Sequence, residues 1–327
     1  MFFRNLIVVI ALVGAGRAAA QWKAPRTPDG RPDFQGVWSN NSATPLERPK
    51  IVEGREHLTD QEVAALQKKA AELFDNGNSD AAFFDQVFEA VLANVQGVKS
   101  GFKSTDGQTG DYSSVWTESR DWDNRTSLIT DPSDGRMPAM TAHAQASQRA
   151  RALAARALPA GPEDRSLSER CITYGTPQFV AGYQSYRQIV QTSDAVAIET
   201  EMIHDTRVIP ITTMPHLPAG VESWDGDPRG HWEGDTLVVD STNFKPGAFR
   251  NVSTSKLHVV ERFKRTSPST LEWQVTIDDP GAWTKPWTAK LLLRRADKTL
   301  FEYACHEGNY ALKDILAGAR REEADQK

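Results

Sequence analysis

Two neighbouring stretches, "KLHVVERFKR" (Lys256–Arg265) and "TLEWQVTIDD" (Thr270–Asp279), decide the fold class. Apolar and polar residues alternate along each of them, so that every second side chain belongs to the same face. This alternation is typical of a β-strand that has one face in a core. The two stretches therefore predict neighbouring strands of an antiparallel sheet.

Further segments of the same kind extend this sheet on both sides. Two of them, Asp33–Trp38 and Arg125–Thr130, precede Ser166, after which the chain becomes rich in strand patterns. The later segments are separated by short turns and read YRQIVQTSDAVAIETEM (two strands joined at Thr192–Asp194), TRVIPI, TLVVDST, TAKLLLRR and LFEYACHE.

About eight to ten such strands are enough to close a barrel around a ligand-sized cavity. Gly36-Val37-Trp38 also has the Gly-x-Trp form with which lipocalin-type barrels open. We therefore expect a mainly β protein, an antiparallel lipocalin-like β-barrel of about eight to ten strands.

Helical patterns are confined to the region 55–165, which we expect to be an α-helical insertion in the barrel. Thr59 is a predicted N-cap, and Glu62 completes a capping box before a stripe of apolar residues. Two further helices are expected at 81–95 and 141–158.

The first twenty residues read as a secretory signal peptide. A single Arg precedes the apolar run "LIVVIALVGAG", which is too short to span a bilayer, and small residues follow before Gln21. The alternative is a buried N-terminal helix. We expect signal peptide 1–20, a single mature domain 21–327 without a transmembrane segment, and a periplasmic location.

The overall charge argues against a nucleic-acid partner. The net charge is −5 and the isoelectric point is near 5.9, whereas nucleic-acid-binding domains usually carry a basic face. Apolar residues make up 39% and charged residues 25% of the chain, which is ordinary globular composition.

The chain has two cysteines, Cys171 and Cys305. In an oxidising compartment such a pair is most simply a disulfide, although two buried free thiols are the alternative. The chain-entropy model gives a loop of this span roughly 5 kcal/mol of stabilisation at most.

Glu261 is an unusual member of an apolar row. It shares one strand face with Leu257, Val259 and Phe263, where a bare carboxylate is costly unless it is paired or protonated. Alternation does not tell which of the two rows lines the interior.

The segment "ETEMIHDTR" contains a second group of polar candidates. His204 is flanked by carboxylates and followed by Arg207, a set suited to acid/base chemistry and to holding an oxyanion. The alternative is a hairpin end whose charges are solvated.

A third segment, "YACHEGNYAL", places His306 and Glu307 next to Cys305 and before Gly308. A disulfide at Cys305 would hold His306 rigidly, as a catalytic base requires. His306 as a structural histidine is the alternative.

The stretch "GHWEGDTLVVDSTNF" combines a turn with site candidates. Gly234 and Asp235 are interpreted as turn residues, while His231 and Glu233 are candidates for a site. Six aromatic residues suit a flat, apolar ligand, or alternatively fill the core: Trp224, Trp232, Trp283, Trp287, Tyr186 and Tyr303.

Familiar cofactor and nucleophile motifs are absent from the sequence. There is no Gly-x-Ser-x-Gly elbow, Walker loop, dinucleotide fingerprint or His-Glu-x-x-His. A metal site from His204, His231 and His306 is chemically conceivable, but no two histidines have a short ligand spacing. We expect no cofactor and no metal.

Six longer motifs resemble a family of exported Gram-negative proteins of mostly undefined function, abundant in acidobacteria and sphingomonads. The resemblance covers nearly all of the mature chain and implies no agreed reaction. Its motifs are RTPDGRPDFQGVW, RTSLITDPSDGR, GHWEGDTLVVDSTNF, LHVVERF, TIDDPGAWTKPWT and CHEGNYAL. Together with "MIHDTRVIP" they point to Arg125, Arg136, His204, Arg207, His231, Glu233, His258, Glu261, Asp278, His306 and Glu307.

Our leading hypothesis is a cofactor-independent periplasmic lyase, decarboxylase or isomerase that acts on a small aromatic or apolar carboxylated compound. Its expected catalytic residues are His204 or His306 as general acid/base, oriented by Glu261 or Glu307. Arg207 or Arg262 would hold the carboxylate. The other expected binding residues are His231, Glu233, His258, Trp232, Trp287 and Tyr303. The alternatives are a non-catalytic carrier of an apolar ligand and an envelope interaction protein.

Overall fold

The fold is seen in a computed structural model, which describes residues 22–74, 86–95, 97, 120–179 and 183–326. The predicted signal peptide and the first five residues of the predicted helix 81–95 lie outside the described residues. Within the described ranges, no helix is long and apolar enough to cross a membrane.

The described residues form one antiparallel sheet of ten strands. This confirms the expectation of a mainly β protein. The strands are β1 Gly36–Ser39, β2 Ile129–Asp131, β3 Tyr186–Gln191, β4 Ala195–Thr200, β5 Thr206–Pro210, β6 Asp227–Glu233, β7 Thr236–Thr242, β8 His258–Ser267, β9 Thr270–Asp278 and β10 Trp287–Ala296. Their order across the sheet is β5-β4-β3-β1-β10-β9-β8-β7-β6, and β2 also pairs with β10.

The sheet is not closed into a barrel. Its edge strands β5 and β6 meet only at an isolated bridge between Ile211 and Gly230, beside the hydrogen bond from Thr212 N to Gly230 O at 3.0 Å. Pro210, which ends β5, has no N–H to donate to a continuous ladder. The antiparallel sheet is therefore present without barrel closure.

Burial along β8 shows which row faces inward. Val259, Glu261 and Phe263 are buried, whereas His258 and Arg262 on the other row are partly exposed. The core on this inner face includes Trp38, Trp273, Trp283 and Trp287, all almost completely buried. Much of the tryptophan surface thus fills the interior.

Four α-helices lie within the described residues, and three of them agree with the sequence prediction. In the capping box before α1, Glu62 N donates to Thr59 Oγ1 at 3.2 Å and Thr59 N donates to Glu62 Oε2 at 2.8 Å. The helices are α1 Asp60–Phe74, α2 Gln86–Val95, α3 Ala142–Ala154 and α4 Ala311–Asp325. Helix α4 was not predicted.

The prediction of a strand at "LFEYACHE" is wrong, because residues 301–310 are irregular. Backbone groups of this segment bond to side chains instead of to another strand. Phe301 N donates to Glu201 Oε1 at 2.9 Å, and Tyr303 O lies 2.9 Å from His204 Nδ1.

The predicted disulfide between Cys171 and Cys305 is confirmed, with a Cα–Cα distance of 5.8 Å. It ties the irregular C-terminal segment to the loop that precedes β3.

Candidate functional site

The described residues enclose an open cleft of about 740 Å³. Its walls come from the chain after β1, the loop that leads into β3 and the loop between β7 and β8. Apolar side chains supply much of the surface, including Leu46, Leu128, Met140, Phe179 and Phe249. Arg120 and Arg250 are the charged residues among the described lining, which contains no Asp, Glu or His.

Aromatic rings connect this cleft to the core. The Phe179 ring centroid lies 6.3 Å from Trp287 and 5.8 Å from Trp273. Phe249 lies 6.1 Å from Trp287 and 6.0 Å from Trp283. Trp287 therefore supports the cleft wall from behind, where it is completely buried.

A much smaller inner cavity of about 30 Å³ lies next to the cleft. Pro177 and Gln178 line both spaces, so they form the partition between them. A volume of this size holds a single water or hydroxyl group. The remaining polar lining consists of Thr176, Arg187, Thr200, Asp205, Arg207 and Asp225.

Glu261 is paired with Arg207 across the sheet interior. Arg207 Nη1 and Nη2 lie 2.6 Å and 2.9 Å from the two Glu261 oxygens, and Trp273 Nε1 donates to Glu261 Oε1 at 3.0 Å. Burial lowers the pKa of Arg207, but the charge and hydrogen bonds of Glu261 together with the charge of Asp225 outweigh burial and raise the pKa overall. Both oxygens of the buried Glu261 carboxylate thus accept hydrogen bonds, which explains how an otherwise apolar row accommodates this residue.

Arg187 is a second buried cation that sequence reasoning missed. It donates to Ser185 O at 3.1 Å and to Gln178 O, and its guanidinium lies 5.1 Å from the Trp273 ring centroid. Burial lowers its pKa to about 10. Arg187 lies two residues before the buried Ile189, on the same face of β3, and this alternation could have indicated that it is buried.

Asp205 accepts three hydrogen bonds at Oδ2. The donors are Thr173 Oγ1 at 2.7 Å, Gln178 Nε2 at 3.2 Å and Tyr174 N at 3.3 Å. Burial raises the pKa of Asp205, the hydrogen bond from Thr173 opposes the rise, and the charge of Asp225 adds to it. A carboxyl group with a raised pKa beside a cleft is a candidate acid/base group.

The predicted catalytic histidines are on the surface. His204 is exposed, has a left-handed backbone with φ of +47°, and contacts Tyr303 O through Nδ1. His306 and Glu307 are also exposed. None of the three residues His204, His306 and Glu307 is part of the described lining of either cavity.

Several predicted binding residues lie on the outer face of the sheet. Glu233 contacts Arg262 Nη2 at 2.5 Å and His231 Nε2 at 3.3 Å, and the hydrogen bond from Arg262 lowers the pKa of Glu233. The structure therefore separates His231, Glu233 and Arg262 from Arg207 and Glu261. Trp232 lies on the other, inner face of β6, where it packs against the core ring of Phe34 with ring centroids 5.4 Å apart.

His258 belongs to another outward cluster. Asp240 bridges it to His216, with Oδ2 3.0 Å from His258 Nε2 and Oδ1 2.8 Å from His216 Nε2. His216 Nδ1 lies 3.1 Å from Asp227 Oδ2. Sequence reasoning missed His216, because it lies in a loop where no periodic pattern indicates its partner.

The remaining residues indicated by the family resemblance have structural contacts. Arg125 Nη1 donates to Lys290 O at 2.7 Å, and Arg136 Nη1 donates to Arg48 O at 2.8 Å. Asp278 is the strand partner of His258. In the part of the chain that the structure describes, no three His, Cys, Asp or Glu side chains are grouped so that they could hold a metal ion.

Comparison with known proteins adds no function to this geometry. No protein-family model matches the chain, and no match is found among the curated proteins.

Proposed function

We propose that this protein is an exported carrier that binds a small aromatic or otherwise apolar compound in the 740 Å³ cleft. The observation that carries the proposal is the size of the cleft together with its aromatic wall. Ligand pockets for small molecules are typically about 300–1,000 Å³ and lined mainly by apolar and aromatic side chains. Phe179 and Phe249 provide such a wall, and buried tryptophans support it.

A periplasmic location belongs to the same proposal. The N-terminal sequence pattern of a signal peptide supports it, and so does the disulfide between Cys171 and Cys305, because disulfides persist in oxidising compartments. The resemblance of its motifs to those of an exported Gram-negative family also supports this location.

A lipocalin-like barrel is the finer fold that we propose. Strands β5 and β6 already meet at Ile211 and Gly230. Gly230 permits this approach, since a Cβ there would lie 2.8 Å from Ile211 Cδ1. A few more backbone hydrogen bonds between the two edges would close the sheet around the inner cavity.

Asp205 favours a second candidate, a cofactor-independent lyase, decarboxylase or isomerase. Its carboxyl group has a raised pKa and lines the inner cavity behind the cleft partition. In the decarboxylase version of this scheme, the bond between the substrate and its carboxylate breaks and Asp205 protonates the carbon that remains. Water then reprotonates Asp205, and the released CO₂ takes up the hydroxide as bicarbonate. Arg207 and Arg262 are each engaged by a glutamate, so this version does not rely on them to hold a substrate carboxylate.

The first experiment is native mass spectrometry of the protein purified from its own bacterium, followed by denaturation to identify any released compound. The variant Ser168→Trp places a large ring in the cleft lining, and Ser255→Trp adds the same ring at an exposed position outside it. Retention by the wild type and Ser255→Trp, but not by Ser168→Trp, would support the carrier. A wild-type protein that neither retains a compound nor binds added aromatic probes would overturn it.

The released compound also separates carrier from enzyme. An enzyme would convert it chemically on prolonged incubation, and Asp205→Asn would abolish the conversion. A carrier would return the compound unchanged, with or without Asp205.

A further inference from the structure

We propose that the cleft selects hydroxylated aromatic compounds, whose hydroxyl group donates a hydrogen bond to Oε1 of Gln178. This inference rests on the proposed ligand-binding function and names the chemical class of the ligand. The aromatic ring would lie in the cleft against Phe179, and the hydroxyl would reach the partition formed by Pro177 and Gln178.

Gln178 carries a buried acceptor, its Oε1, for which the described part of the chain supplies no donor. The residue is 7% exposed and lines both the cleft and the inner cavity. Its Nε2 donates to Asp205 Oδ2 at 3.2 Å, but no donor among the described residues reaches its Oε1. Buried polar atoms in proteins nearly always have a partner, so this oxygen calls for a donor from a ligand or a water.

The orientation of the Gln178 amide follows from its neighbours. Asp205 Oδ2 already accepts hydrogen bonds from Thr173 Oγ1 and Tyr174 N, so it is an acceptor and requires the NH₂ end of Gln178. If the amide oxygen and nitrogen of Gln178 were exchanged, two acceptors, the Gln178 oxygen and Asp205 Oδ2, would face each other. Arg187 further fixes this residue by donating to its backbone carbonyl.

The same surroundings favour a neutral donor over an anion. Both Arg207 guanidinium ends are held by Glu261, and Arg187 is directed to two backbone carbonyls and the Trp273 face. The unsatisfied atom is an oxygen, which repels a carboxylate. The inner cavity, about 30 Å³, has room for a hydroxyl but not for a ring.

Three naphthalene probes of similar shape test this preference by fluorescence titration at pH 7. The probe 2-naphthol offers a hydroxyl donor, 2-methoxynaphthalene offers only an acceptor, and 2-naphthoate is an anion. We expect 2-naphthol to bind about tenfold more tightly than 2-methoxynaphthalene, because only its hydroxyl satisfies the buried oxygen.

Two variants locate the effect. Gln178→Met removes the acceptor and should bring the affinities for 2-naphthol and 2-methoxynaphthalene within about twofold of each other. Ser255→Trp, at an exposed position outside the cleft, should retain the preference for 2-naphthol. If Gln178→Met does not fold, the comparison of the three probes on the wild type still decides.

The outcomes distinguish this inference from the proposed function. Equal binding of 2-naphthol and 2-methoxynaphthalene would mean that a water satisfies Gln178, and tightest binding of 2-naphthoate would mean an anion site. Either result would overturn the inference while leaving a ligand-binding cleft. Failure of all three probes in a protein that also retains no compound, or binding that Ser168→Trp does not weaken, would overturn the proposed function itself.

Discussion

Arg207 on β5 and Glu261 on β8 form a bidentate ion pair inside the protein, although 54 residues separate them in the sequence. Glu261 is completely buried, and the Arg207 side chain is 12% exposed. The pair connects the edge strand β5 to β8, the third strand from the opposite edge, on the inner face of the sheet.

Replacing Glu261 by Met should lower the free energy of unfolding by about 3–5 kcal/mol, because Arg207 would stay buried and charged without a carboxylate. The double variant Arg207→Met/Glu261→Met should recover most of this loss, since two apolar side chains replace both charges. Urea unfolding followed by tryptophan fluorescence measures both values.

The surface pair Glu233–Arg262 is the matched control for this prediction. Both of its side chains are well exposed, so Glu233→Met should leave the free energy of unfolding close to that of the wild type. Equal costs for Glu233→Met and Glu261→Met would show that burial of the ion pair does not determine its importance.

The disulfide should stabilise the protein through the long loop that it closes. Its cysteines are 134 residues apart, for which the chain-entropy model gives about 5 kcal/mol as an upper value. Dithiothreitol should therefore lower the urea midpoint of the wild type and leave that of Cys171→Ser/Cys305→Ser unchanged. The Phe301 amide, bonded to Glu201, should exchange hydrogen faster after reduction.

The sequence predicted features that depend on local chemistry. Alternation predicted β8 and β9, the turn at Thr192–Asp194 separated β3 from β4, and the capping box at Thr59 marked the start of α1. Each signal lies within a few residues of the element that it specifies, so no knowledge of distant partners was needed.

The site depends on partners that are distant in the chain. Alternation showed that Glu261 needed a partner or a proton, but it identified neither Arg207 nor the inward face. The cleft is formed by loops, which have no period to read, and the partition residue Gln178 has no motif. The strand prediction near Tyr303 failed because a pattern of side chains does not reveal whether another strand is present to pair with it.

Asp205 should make the stability depend on pH in a direction opposite to that of Asp240. Burial raises the pKa of Asp205 above its ordinary value of 3.8, so the folded protein binds more protons than the unfolded chain just above that pH. Its contribution to stability is therefore complete below about pH 4 and declines as the pH rises through the folded pKa. Asn does not titrate, so only the wild type loses this contribution. The free energy of unfolding of Asp205→Asn minus that of the wild type should therefore rise across this range.

Asp240 is the comparison for this prediction. Burial alone would raise its pKa, but the hydrogen bonds and the charges of His258 and His216 together outweigh burial and lower the pKa. Its contribution is present above its ordinary pKa of 3.8 and is lost as the pH falls through the lower folded value. The free energy of unfolding of Asp240→Asn minus that of the wild type should thus fall as the pH rises. Urea titrations at several pH values test both signs, and the same sign for both variants would contradict the assignment.

Gly175 should be the most sensitive glycine of the cleft wall. It has a φ of +93°, and a Cβ at this position would lie 2.7 Å from the backbone oxygen of Ala248, which lines the same cleft. Gly175→Ala should therefore lower the free energy of unfolding by about 2 kcal/mol or more, because backbone strain and a backbone clash add.

Gly220→Ala is the control: a Cβ there meets nothing within 4 Å, so its unfolding free energy should stay close to that of the wild type. Probe titrations should show weaker binding only for Gly175→Ala. Unchanged stability and unchanged binding in that variant would mean that the close approach of Gly175 and Ala248 does not shape the cleft.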